Sequence, residues 1–264
     1  MRSLILSVTL LVGSGTPAYA QETLNGEQLS ALVARVKNFV PRDQFDAPPA
    51  QPSLAGKRFS YTIEPRPIGR ATNCDGHPEW LYLPAQQRLN FSWGSSLALS
   101  YALKGRNGGV FPPNMMGLRN SELMFRSFTC AKTIEQNYTA TNGFGAQFTI
   151  EKMTDTVSAI ADFDPPTGRR LPSSWDAVVT GDAARLLSAN ARIRVSGTLS
   201  DWWPGASVVC GQKRLEPTIS RPIDRTTDVC LIRGQVERVD VIDERSGATL
   251  YSIASEGRGD RKRR

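Results

Sequence analysis

The chain has 264 residues, 40% hydrophobic and 22% charged, a balance that fits a folded protein and excludes a disordered or collagen-like one. It carries 32 Lys and Arg against 25 Asp and Glu, a net +7, and its 22 Gly and 17 Pro point to many turns and short elements. The only histidine is His77, which excludes multi-histidine metal sites and histidine proton relays.

Residues 1–20 have the form of a secretory signal peptide. Arg2 supplies the positive start, Leu4 to Val12 the apolar stretch, and Ala18-Tyr19-Ala20 the small residues before a cut at Gln21. The apolar run is about half the ~20 residues that a spanning helix needs, and no later run is longer. The expectation is an exported protein, periplasmic or secreted and soluble, with no transmembrane segment after the cut.

Residues 21–56 are expected to hold an amphipathic helix and a Pro-rich linker. Leu29, Leu32, Val33, Val36 and Val40 recur at helical spacing over 24–40. Asn25 and Gln28 have the spacing of a capping box, and Pro41 ends the pattern. Pro48, Pro49 and Pro52 then make the linker extended.

From Lys57 the hydrophobic period becomes two. Phe59, Tyr61 and Ile63 alternate with polar residues, as do Leu89, Phe91 and Trp93, then Leu97, Leu99, Tyr101 and Leu103, and later Ile193, Val195 and Leu199. Further strands are expected at 79–83, 122–130, 145–151, 156–163, 206–210, 228–242 and 248–254, with Glu244 to Gly247 as a hairpin turn. Asp182 is placed to cap a short helix from Ala183 to Ser188. The predicted fold is mainly β, with antiparallel sheets in a sandwich or barrel-like arrangement, an N-terminal amphipathic helix and one short later helix. Three prolines and a glycine within 164–172 suggest a division into two β-rich halves, 57–164 and 173–257.

Cys74, Cys130, Cys210 and Cys230 are an even number behind an export signal, the pattern of two disulfides. Of the three possible connectivities, Cys74–Cys130 and Cys210–Cys230 keep each bridge within one half. A zinc site using Cys74 and His77 lacks the second close pair of a zinc ribbon. No metal and no cofactor is expected. The segment 258–264 is expected to be disordered, its Arg258, Arg261, Lys262, Arg263 and Arg264 forming a weak electrostatic tether to an anionic membrane surface. Without this tail and Arg2 the net charge falls to +2, so no nucleic-acid partner is expected.

The sequence has no Gly-x-Ser-x-Gly nucleophile motif, no phosphate-binding Gly-x-x-x-x-Gly-Lys and no Gly-x-Gly-x-x-Gly. Two segments instead suit contact: Phe111, Met115 and Met116 in a Pro- and Gly-rich apolar loop, and Trp202 and Trp203 beside Pro204-Gly205. Glu79 near Trp80 and Tyr82, and Asp201 near the two tryptophans, would suit a sugar site, although neighbours in a strand face opposite sides. Two functions follow as expectations. The first is a non-catalytic cell-envelope binding or interaction protein whose partner is an envelope protein or a glycan. The second is an exported glycan hydrolase using two carboxylates.

Overall fold

The structure is a computed structural model, and its described residues are 22–38, 50–69, 77–94, 104–105, 123–163 and 171–255. In chain order the described elements begin with β1 (Thr23–Leu24), α1 (Gly26–Lys37), β2 (Arg58–Ile63), β3 (Arg66–Pro67), β4 (Glu79–Leu83), β5 (Arg88–Ser92) and β6 (Lys104–Gly105). They continue with β7 (Leu123–Ile134), β8 (Tyr138–Thr141), β9 (Gln147–Phe163) and β10 (Ser174–Val178), then α2 (Gly181–Asn190), β11 (Ala191–Leu199), β12 (Val208–Leu215), β13 (Ile223–Asp243) and β14 (Thr249–Ala254). The protein is mainly β, and among the described residues no helix is long and apolar enough to cross a membrane.

The 21-residue strand β13 is the axis of the larger sheet. Its first half lies between β12, antiparallel, and β9, parallel; its second half lies between β11 and β14, both antiparallel. Gly234 marks the changeover, opposite Leu199 on one side and Asp162 on the other. A Cβ there would lie 3.1 Å from Ile160 and 3.2 Å from the Thr198 carbonyl, so glycine permits the close approach. The strand is hydrophobic on both faces around Val229 to Ile232, all buried, because the sheet has a core on each side.

The sheet is mixed, which corrects the expectation of antiparallel sheets. β9 runs parallel to β13 over twelve residue pairs, and β1–β2 and β3–β4 are also parallel. Short gaps in sequence favour hairpins, but the long stretch between β9 and β13 supplies enough chain for a parallel return. The Pro-rich stretch at 164–172 does not divide the sheets: β2 pairs with β11, β5 with β10 and β9 with β13 across it. β9 is also continuous where two strands, 145–151 and 156–163, were expected. Its polar middle persists because Lys152 pairs with Glu135 at 2.5 Å and Asp155 with Arg225.

In α1, the Asn25 side chain accepts from the Gln28 N–H at 2.9 Å and Gln28 Oε1 accepts from the Asn25 N–H at 2.8 Å. Leu29 and Val33 enter the main core with Phe59 and Tyr61 of β2, Ile193 and Val195 of β11, and Val239 and Val241 of β13. The helix ends at Lys37, before Val40, with Asn38 as its cap. In α2, Thr180 is the N-cap residue and Asp182 lies inside the first turn, 2.5 Å from Arg185, which corrects the expected cap. On the other face of the larger sheet, Phe125, Val157, Ala159, Val209 and Leu231 form a second core.

The smaller sheet has the order β10-β5-β4-β3. Trp80, Phe91 and Trp175 are opposed across its strands, so they share one face. That face packs on β14: Trp175 stacks on Phe91 at 5.9 Å and on Tyr251 at 5.1 Å. The larger sheet holds one disulfide, Cys210–Cys230, between directly opposed residues of β12 and β13 whose Cα atoms are 4.1 Å apart. Cys130 is also disulfide-bonded. Cys74, the expected strand at 97–103, Phe111, Met115, Met116, the signal segment 1–20 and the basic tail 258–264 lie outside the described residues.

Candidate functional site

A cleft of about 370 Å³ opens at the β3 end of the smaller sheet, lined by Glu64, Arg66, Trp80, Ser188 and Ala189 together with Pro65 and Pro67. β2 leads directly into this wall. The two prolines hold the chain extended, and the Arg66 and Ile68 N–H groups bond the carbonyls of Pro78 and Trp80 at 2.9 Å each, which docks β3 on β4. Within β4, period two directs Trp80 and Tyr82 inward and leaves Leu81 and Leu83 exposed. α2 closes the other side. Its Gly181 lies near the Tyr82 hydroxyl, and its last turn brings Ser188 and Ala189 to the cleft.

The end of α2 leaves two acceptors open. The Leu186 carbonyl accepts from Asn190 Nδ2 at 2.8 Å, and the Leu187 carbonyl from the Ala191 N–H. The Asn190 carbonyl accepts from the Glu244 N–H at 2.9 Å. Among the described residues nothing donates to the carbonyls of Ser188 and Ala189, which stand at the negative end of the helix. Glu64 and Arg66, of opposite charge, both line the cleft, and behind Glu64 Arg192 lies 3.8 Å from it and 2.5 Å from Glu244.

His77 lies behind the Glu64 backbone, only 8% exposed. Its Nε2 donates to the Glu64 carbonyl at 3.0 Å, because a carbonyl can only accept. Nδ1 is then a buried lone pair without a partner. Burial lowers its pKa to about 4; the positive charge of Arg66 adds to the effect and the bond to Glu64 opposes it. The ring is therefore neutral near pH 7 and fixes the wall of the cleft.

The expected contact residues divide. Trp203 is 37% exposed at a tight turn with Ala206. Trp202 is buried in the second core, where its Nε1 donates to the Leu231 carbonyl at 3.1 Å, which corrects its expected place on a contact surface. The chain reverses here, so adjacent tryptophans go to opposite sides. Asp201 receives the Ser53 hydroxyl at 2.6 Å and the Leu54 N–H at 2.8 Å, and so ties the linker to the sheet.

Trp80 lines the cleft, whereas Glu79, opposed to Ser92, lies on the other face of the strand. Glu64 and Arg66 escaped the sequence reading; the Pro-Arg-Pro run that shapes this edge was the available signal.

Acidic residues elsewhere are engaged in the fold. Asp240 lies between Arg194 at 2.9 Å and Arg238 at 2.7 Å. Its burial favours the neutral acid, but hydrogen bonds from Ser252, Arg238 and Arg194 outweigh this and hold the carboxyl below its ordinary range. Arg214 does the same for Asp224 against its burial, with help from Tyr138. Among the described residues no group of His, Cys, Asp or Glu is placed to hold a metal ion. Comparison with protein-family models, with curated proteins and with solved structures found no match.

Proposed function

We propose that this chain is an exported, non-catalytic binding protein of the cell envelope, and that the cleft beside Trp80 is where it holds its ligand. The observation that carries this reading is one open cleft lined together by Trp80, by Glu64 and Arg66 of opposite charge, and by the last turn of α2. The buried aspartates support it too. Asp155, Asp224 and Asp240 each lie against arginine and serve the sheet.

The test uses residues 21–264 and a Trp80→Ala variant as matched baits for envelope extract, with the glycan and protein fractions assayed separately. Material retained by the parent and lost with the variant is the expected result. Equal retention by both would remove the cleft from the function. Release of reducing ends from a retained glycan would instead support the hydrolase.

A further inference from the structure

We infer that β14 is an open sheet edge on which a second copy of this chain docks, β14 against β14, antiparallel about a twofold axis. The inference does not depend on the reading of the cleft.

The backbone comes first. β14 has one neighbour, β13. The Ser255 N–H donates to the Glu237 carbonyl at 2.7 Å, and the direction of these bonds alternates along a strand. Tyr251 and Ile253, opposite Val241 and Val239, therefore turn their backbone groups to β13, and Ser252 and Ala254 turn theirs away. Among the described residues nothing bonds the outward N–H and C=O groups of Ser252 and Ala254. The register shift between Val241 and Ile242 affects only the start of β14, so Tyr251 to Ala254 stay regular.

The side chains come second. Sheet edges are commonly guarded by charge, by proline or by shortness. β3 has two residues, one of them Pro67; β7 carries Arg126 and Lys132, and β10 carries Asp176. β8 is uncharged but only four residues long. By contrast, residues 248–255 hold no charge, no proline and no glycine. Thr249, Ser252 and Ala254 are small and exposed, whereas Leu250, Tyr251 and Ile253 are half-buried against the main core. A strand laid on this edge meets little bulk on one face and covers apolar surface on the other.

Symmetry and charge select a second copy as the occupant. An antiparallel edge is its own complement. With Ile253 opposite the partner's Ile253, Ser252 exchanges both main-chain bonds with the partner's Ala254, and Ala254 does so with the partner's Ser252. This register also brings two half-buried isoleucines together across the axis. The chain beyond Ser255 sets the direction, because residues 258–264 hold five Lys and Arg against one Asp. Antiparallel pairing sends the two basic segments to opposite ends of the seam. Parallel pairing would run them side by side, where like charges repel. So short a seam makes a weak dimer, with a dissociation constant of about 10–100 µM.

The test is sedimentation velocity of residues 21–264 from about 5 to 500 µM, a range that brackets that constant. The weight-average mass should rise towards the dimer. Ala254→Pro removes one outward N–H and leaves the Ser255 bond to β13 in place, so it should weaken the dimer more than tenfold with the melting temperature unchanged. Ala254→Arg keeps that N–H and sets like charges near the axis; it should also weaken the dimer more than tenfold, and serves if the proline variant does not fold. Ile253→Cys should give a disulfide-linked dimer on non-reducing electrophoresis, because directly opposed residues of this kind lie about 4.5 Å apart at Cα.

A parent that stays monomeric over the whole range would overturn the proposal. So would a dimer that folded Ala254→Pro and Ala254→Arg variants form as tightly as the parent, since the contact would then lie elsewhere. A dimer in which Ile253→Cys forms no bridge would overturn the antiparallel pairing centred on Ile253.

Discussion

In the larger sheet Asp155 lies against Arg225, Asp224 against Arg214, and Asp240 between Arg194 and Arg238, so each buried carboxylate has its counter-charge within the fold. At the β3 end of the smaller sheet the pattern is different. The Glu64 and Glu244 side chains are 67% and 60% exposed and share Arg192, and the last turn of α2 lines a cavity. Burial explains the contrast. An unpaired charge inside a sheet costs several kcal/mol, so the interior keeps only charges that are paired. A rim is hydrated, and polar groups can remain there for a ligand. If this division is right, substitutions in the larger sheet should change stability, and substitutions at the cleft should change binding.

The largest expected effect is steric. Gly197 lies at a register shift between β11 and β13, and a Cβ there would be 2.0 Å from the Gln235 carbonyl oxygen and 3.0 Å from the Phe59 ring. Backbone cannot move aside as a flexible side chain can. Gly197→Ala should cost about 4 kcal/mol or prevent folding, measured by urea denaturation of the purified protein. A loss below about 1 kcal/mol would mean that the two strands are not held this closely.

Next is Asp155→Ala. Asp155 is fully buried, its Oδ2 receives both Nε and Nη2 of Arg225, and its Oδ1 has no partner. Removing the carboxylate breaks a mostly buried ion pair, for an expected loss of about 3 kcal/mol. Replacing Arg225 as well, as Asp155→Leu with Arg225→Met, should restore much of it. Retention of envelope material by either folded variant should be unchanged. Weakened binding would show that the two regions are coupled and that the division is wrong.

These two sites also show what the sequence made legible. The Asn25–Gln28 cap, the Leu89, Phe91 and Trp93 alternation, the Glu244 to Gly247 turn and the Cys210–Cys230 bridge depend on nearby residues or on cysteine count, and all could be read locally. The parallel pairing of β9 with β13 depends on how distant segments meet, and no local period encodes that. Hence neither the partner of Asp155 nor the close approach at Gly197 could be foreseen. The cleft is intermediate. Trp80 stood out as an aromatic residue on a strand, but Glu64, Arg66, Ser188 and Ala189 join it only through tertiary packing.

Acid should separate the regions along the pH axis. His77 has a folded pKa of about 4 against an ordinary 6.5, so its neutral form is favoured by folding. Its contribution is complete above pH 6.5 and is lost as pH falls towards 4, about 3 kcal/mol in all. Asp224 and Asp240 are also held below their ordinary value of 3.8, so their contribution is lost only in more acid solution. Urea midpoints should therefore fall in two stages, and His77→Gln should flatten the first alone. One stage, centred below pH 4 in both proteins, would show that His77 is not the buried neutral group described.

The smallest expected change in stability is at Glu64, and it tests the cleft side of the contrast most directly. Its carboxylate lies 3.8 Å from Arg192, an exposed pair of the kind worth at most about 1 kcal/mol. Arg192 keeps Glu244 at 2.5 Å after the change, so no cation is left alone. The bond from His77 is to the Glu64 backbone carbonyl, which Glu64→Gln preserves. The variant should melt within about 0.5 kcal/mol of the parent at pH 7. Its retention of envelope material should nevertheless fall, because a neutral amide is a weaker hydrogen-bond acceptor than a carboxylate. A substitution that leaves the fold intact and weakens the ligand is what a rim residue should show. One that lowers stability by 2 kcal/mol or more would place Glu64 with Asp155, among the residues that hold the sheets together.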